Sequence, residues 1–162
     1  MAHYAAFIWT ARATSRVKFF SWLLVQRRIH TRDVLAKKHI VAEVDAGCPI
    51  YSTTLETVDH LIFACPFDAC FWQEVGVPTA GAAVDDLTFL ASAGAVVGSA
   101  AEFVMLCCWQ LWKHRNVVVF QGQRLSISRV LGCYREDAVL WRCRLPKNSR
   151  SNVDSWLTAL SP

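Results

Sequence analysis

Cys48-Pro49-Ile50-Tyr51 is followed, after eight intervening residues, by His60-Leu61-Ile62-Phe63-Ala64-Cys65-Pro66. A Cys-x-x-Cys turn lets two thiolates converge on one tetrahedral ion, and a His and a Cys from a second segment close the other two vertices. Cys48, His60 and Cys65 stand at three such places, and Tyr51 stands at the fourth. A phenol deprotonates near pH 10, so Tyr51 is a poor replacement for a thiol. That leaves water, Cys70, or a carboxylate such as Asp45 or Glu56 to complete a zinc site. The alternative is a decayed site in which these thiols pack as small buried hydrophobes.

Between the two halves, a Thr53-x-x-Glu56 capping pattern, or Thr57 as N-cap, starts a short helix that turns Val58, Leu61 and Ile62 inward. Five residues along an ideal helix turn through about 500°, which would separate Cys65 from His60. Pro66 disfavours helical geometry at residue 65, so the helix stops there and Cys65 curls back.

Working outward, Arg16 to Arg28 places Phe19, Phe20, Leu23 and Leu24 at helical spacing, with Ser15 or Thr14 as cap. Thr31 caps a second short helix, Arg32 to Lys38, whose Val34 and Leu35 dock on the first. After the metal motif, Pro66 restarts a helix that carries Phe71 and Trp72 inward and ends at Gly76-Val77-Pro78. Residues 78–98 are rich in Ala and Gly and contain no basic residue, which predicts a connector around Val84-Asp85-Asp86-Leu87. A long helix follows from Ala100 to about Phe120, presenting Phe103, Val104, Cys107, Leu111 and Trp112, and Gly122 closes it. Ser126 caps a last helix with Ile127, Val130, Leu131, Tyr134 and Trp141. Beyond Pro146 the chain reads as loop. The fold class is mainly α: a small helical metal-knuckle module followed by a helical extension.

The composition, 54% hydrophobic with seven Trp and nine Phe, argues against disorder and for a substantial core. The N-terminus shows no secretory pattern, so a reducing, intracellular setting, cytoplasmic or nuclear, is the expectation. Seven cysteines, two of them adjacent at Cys107-Cys108, argue for free thiols over a disulfide framework. From Leu87 to Trp112 only Glu102 is charged, yet Ser92, Gly94, Gly98 and Ser99 break the run, so a buried helix is expected and no membrane span.

Charge falls in blocks: residues 1–40 carry +7, residues 41–100 carry −8 and residues 101–162 carry +5. The basic ends suit nucleic-acid backbone, with Arg27, Arg28, Arg32, Lys37 and Lys38 as the clustered candidates. The same pattern also suits mutual neutralisation of packed segments. His30, His39 and His114 lie among cations and read as solvated helix-end residues, and Trp109 and Trp112 as core or interface rather than base-stacking platforms. No aromatic-x-Asp-Asp polymerase signature, no phosphate-binding glycine loop and no oxyanion turn beside the Cys65/His60 pair is present, so the chain is expected to be no enzyme.

The order Lys18-Phe19-Phe20-Ser21-Trp22-Leu23, Arg28-Ile29-His30-Thr31-Arg32-Asp33-Val34-Leu35, Cys48-Pro49-Ile50, Glu56 to Pro66 and Phe71-Trp72 resembles the zinc-binding domain that follows the reverse transcriptase of plant non-LTR retrotransposons. The resemblance covers about residues 4–75. Trp109-Gln110-Leu111-Trp112-Lys113-His114-Arg115-Asn116 to Phe120 is similar to the helix after this module in such polyproteins. The likeness implies zinc on Cys48, His60 and Cys65, affinity for RNA or DNA, and a reverse transcriptase or other protein as partner. With the Ala/Gly-rich boundary after residue 78, the expected division is a zinc-binding-like domain (4–78), a linker (79–99), a helical extension (100–145) and a tail (146–162). A structural, protein-interaction module without a nucleic-acid role is the competing reading.

Overall fold

In the computed structural model, residues 2–88 and 100–159 are described, and among them the fold is mainly α with no strand. Helices α1 (Ala2–Thr10) and α2 (Ser15–Val25) form an N-terminal pair. Thr14 caps α2, its hydroxyl accepting the Val17 N–H. α2 ends where Arg28 and Arg27 donate their N–H groups back to the Leu23 and Leu24 carbonyls, a reversal that holds Arg27 at φ 54°. α3 (Arg32–Lys37) begins after Thr31 and ends in the same manner, with His39 at φ 55°. The α2 seam buries Phe20 and Leu24, as its spacing predicts, whereas Phe19 stays 59% exposed.

α4 (Pro66–Glu74) follows the metal motif, and Phe71 and Trp72 are fully buried on it. α5 (Ala100–Gln121) is the central element, packed against α2, the segment before α4, and α6 (Ile127–Arg142). Its stretch Phe103 to Cys108 is buried at every position, as expected of a helix surrounded on all sides. Gly122 at φ 63° ends α5, and the Ser126 hydroxyl accepts the Arg129 N–H to start α6. One continuous core runs from Ile8 and Phe20 through Ile62 and Trp72 to Leu106, Tyr134 and Trp156. Among the described residues no helix is long and apolar enough to cross a membrane.

Three expectations are corrected, and one helix is added. α1 was not read from the sequence: its apolar residues form no separate face, and its packing on α2 sets it. The segment after Pro146 is a 3₁₀ turn (Lys147–Ser149) and a helix α7 (Arg150–Ala159), whose Val153 and Trp156 are fully buried. Two apolar residues three apart in a polar stretch are a minimal amphipathic signal, completed by packing on α6. The predicted connector at Val84-Asp85-Asp86-Leu87 is a 3₁₀ turn with Val84 and Leu87 buried. It is moored by Val84 N–H to Asp59 (2.8 Å) and by the Tyr4 hydroxyl to the Asp85 carbonyl (2.7 Å). The rest of the linker, 89–99, lies outside the described residues. Finally, His114 is buried, not solvated: it stacks on Phe67 with ring centroids 5.1 Å apart, and its Nε2 accepts the Ser126 N–H.

Candidate metal centre

Three local structures bring the donors together. Cys48 lies on a miniature hairpin that closes the loop from Ala46 to Glu56, with Cys48 N–H to the Thr54 carbonyl at 2.7 Å and Glu56 N–H to the Ala46 carbonyl at 3.0 Å. Gly47 is required at its closest point, since a Cβ there would stand 3.0 Å from the Ser52 carbonyl oxygen. The Tyr51 N–H points back to the Cys48 sulfur at 3.4 Å. The chain therefore keeps the turn of a Cys-x-x-Cys pair although its second side chain is Tyr51, which is 41% exposed.

His60 opens a π-helical turn, His60–Ala64, after Thr57 caps the segment by accepting the His60 N–H at 3.1 Å. Of the two capping schemes the sequence offered, Thr57 is the one used. The turn closes with the Cys65 N–H on the His60 carbonyl at 2.7 Å, an i to i+5 bond. The wider turn, rather than termination alone, returns residue 65 toward residue 60. Pro66 is the local cause: it has no N–H for the Ile62 carbonyl four residues back. That carbonyl is taken by the Trp72 indole N–H at 2.7 Å, buried in the core. Trp72 thus fixes the turn that spaces two of the donors.

Cys65 is the N-cap residue of α4. The first N–H groups of that helix, on Phe67 and Asp68, favour its thiolate, though neither makes a capping hydrogen bond. Burial dominates, and with Asp68 and Cys48 nearby it pushes the Cys65 thiol up to about 12. His60 is moved the other way, its imidazolium disfavoured by burial and only partly supported by Glu56. Both shifts describe a dry pocket, which favours a neutral imidazole and would hold thiolates only against a cation.

The cluster itself is compact. One donor atom from each of Cys48, His60 and Cys65 lies within 4.8 Å of the other two, and all three residues are buried. Bonds of about 2.0–2.3 Å in a tetrahedron put donor atoms roughly 3.5–3.8 Å apart, so a small contraction suffices for zinc. His60 Nε2 is buried with no hydrogen-bond partner, an orphan that an ion in this cluster would satisfy. These residues fit zinc.

Residues 1–72 match the family described as zinc-binding in reverse transcriptase. This segment is a reverse-transcriptase zinc-binding domain. No match to the chain was found among the curated proteins or among the solved structures.

The zinc-binding domain does not stand on its own residues alone. Glu56, 1% exposed, receives Arg115 Nε on one oxygen at 2.8 Å and Arg115 Nη2 on the other at 2.5 Å. It also accepts the Arg32 N–H at the start of α3 (2.8 Å). Glu56 is thereby committed to charge pairing and capping, Cys70 is exposed, and Asp45 is exposed, its carbonyl accepting from Arg32. Sequence reasoning missed Arg115 and Trp72 as supports, because their partners lie 59 and 10 residues away.

The five candidate cations divide. Arg27 is held by Asp59 at 2.5 Å and Asp85 at 2.9 Å. Arg32 spans to the Asp45 carbonyl. Arg28, Lys37 and Lys38 are exposed, Lys37 carrying only an i,i+4 pair with Asp33. Trp109 and Trp112 stack on each other with centroids 5.3 Å apart and pack against Phe20.

Proposed function

We propose that this chain is a zinc-stabilised accessory module of a retroelement of the plant non-LTR kind, which holds RNA or DNA without sequence preference and catalyses nothing itself. The observation that supports it most directly is the Cys48, His60 and Cys65 cluster with its unpartnered imidazole nitrogen, inside a reverse-transcriptase zinc-binding domain. Glu56 fastens the start of α3 to the metal loop, so Lys37 and Lys38 at the far end of α3, with Arg28 before it, ride on one rigid unit. Zinc orders that unit, and the three exposed cations meet phosphates. Such a module works in the cytoplasm or nucleus beside a polymerase.

The test is fluorescence anisotropy of labelled single-stranded RNA, single-stranded DNA and duplex DNA against salt, with the zinc-loaded chain and an Arg28→Ala/Lys37→Ala/Lys38→Ala variant. Micromolar binding is expected, and removal of three phosphate contacts should flatten the log-log salt slope by about 2–3. No binding at low salt would favour the other reading, a protein-interaction module. One observation supports that alternative: Trp9 and Phe19 are 49% and 59% exposed on α1 and α2.

A further inference from the structure

Away from the metal centre, a groove of about 320 Å³ lies where the start of α2 meets α5 and α6. That volume is at the small end of ligand sites. We propose that it is a second nucleic-acid contact, which takes one unpaired base of a single strand together with its flanking phosphates. The proposal rests on the nucleic-acid reading above but uses none of the cations around α3.

Trp109, Trp141 and Leu140 supply the apolar lining. Trp109 is held by stacking on Trp112 and edge-on contact with Phe20, each at 5.3 Å between ring centroids, and is still only half-buried along the groove. Leu140 is 64% exposed. The acid of the groove is Asp137, and its charge is already taken up by Lys113 Nζ at 3.1 Å and Gln110 Nε2 at 2.5 Å. Arg16 and Arg144 line the same groove, both are exposed, and neither makes an ion pair among the described residues. Arg16 lies in the first turn of α2, where the helix dipole disfavours a cation, and that turn holds no acid. A bound anion there relieves Arg16 and meets the dipole favourably.

Two uncompensated guanidinium groups around an aromatic and aliphatic floor match a base with phosphates beside it. A duplex keeps its bases stacked inside and cannot lay one in the groove without flipping it out. An acidic protein segment would also meet the arginines, but the ring of Trp109 favours a base, since every nucleotide presents a flat face to stack.

The zinc-loaded full chain is titrated with a labelled oligothymidylate hexamer and with a DNA duplex, following anisotropy and tryptophan emission, and polyglutamate is added as competitor. Arg16→Ala/Arg144→Ala should flatten the log-log salt slope for the hexamer by about 1.4, from two contacts at about 0.7 each. Leu140→Glu, an acid placed on an exposed position of the groove, should weaken the hexamer at least about tenfold and leave the duplex unchanged. Trp109→Phe should lose part of the emission quench while affinity stays within about threefold, because a ring remains to stack. An unchanged hexamer slope in Arg16→Ala/Arg144→Ala would overturn the proposal. If Arg28→Ala/Lys37→Ala/Lys38→Ala then loses the hexamer, the proposed function stands without this groove. Equal losses for duplex and hexamer would overturn it in favour of a general phosphate patch. Displacement by polyglutamate as readily as by unlabelled hexamer would overturn it in favour of an acidic protein partner.

Discussion

Arg115→Met should be among the most damaging single substitutions in this chain, although Arg115 lies outside the 1–72 segment. Arg115 is 6% exposed and sends two hydrogen bonds, at 2.8 and 2.5 Å, into a carboxylate that is itself 1% exposed. With methionine there, the volume is nearly kept and the Glu56 charge is left with the Arg32 N–H alone. Removing one partner of a buried ion pair costs about 3–5 kcal/mol, because the other charge stays buried without compensation. For a chain of this size each kcal/mol lowers Tm by about 2–4 °C, so a fall of roughly 6–20 °C is expected. The assay is thermal and urea unfolding with saturating zinc and again with chelator, beside Glu56→Gln and the Glu56→Gln/Arg115→Met pair. Glu56→Gln keeps an acceptor for the Arg32 N–H while removing the charge, so the double variant should recover more than half of the loss. A cost below about 1 kcal/mol for Arg115→Met would refute the reasoning, showing that Glu56 finds water or a proton at little expense.

Trp72→Phe retains the stacking on Phe63 but strips the Ile62 carbonyl of the buried indole donor, and about 1–3 kcal/mol of destabilisation with weakened zinc affinity is expected in chelator titrations. His39→Gly should stabilise by up to about 1 kcal/mol in urea unfolding, because His39 ends α3 at φ 55° and is exposed. His114 is held below its ordinary value by burial and by Arg129, so its unfolded form binds protons more readily. Its contribution to stability is therefore complete above the unfolded value near 6.5 and is lost as pH falls below it. Urea midpoints between pH 7.5 and 5 should drop less in His114→Gln, which keeps an acceptor for the Ser126 N–H without titrating.

The helices with a cap and a strong seam were legible before any coordinates. Thr14, Ser126 and Gly122 announce boundaries of α2, α6 and α5, and Pro66 announces the start of α4, because capping is a property of a few adjacent residues. The spacing of Cys48, His60 and Cys65 was legible for the same reason, and the structure brings the three together. What stayed hidden is whatever depends on residues far apart. Periodicity cannot register a π turn, which comes from the Pro66 imino nitrogen together with the Trp72 indole ten residues from the carbonyl it serves. Nor can it register that Asp85, in a stretch that reads as connector, closes a pair with Arg27. The charge blocks offered both phosphate binding and internal neutralisation, and the structure divides them residue by residue. Arg27 and Arg115 meet acids of the central block, while Arg28, Lys37 and Lys38 face solvent.

The same division bears on what a metal motif needs in order to work. The three candidate ligands and their turns lie within residues 48–65, yet the carboxylate that fixes the loop is neutralised from α5, and the carbonyl released by the π turn is capped from α4. A metal pocket exacts a definite spacing of donors, and here the spacing is enforced by buried polar groups whose partners come from other helices. With tyrosine at position 51 the turn, the pocket and its orphaned nitrogen are all in place without a second thiol. Zinc binding that survives in the native chain while Arg115→Met abolishes it would show that the frame, more than the complete ligand set, decides whether the centre forms.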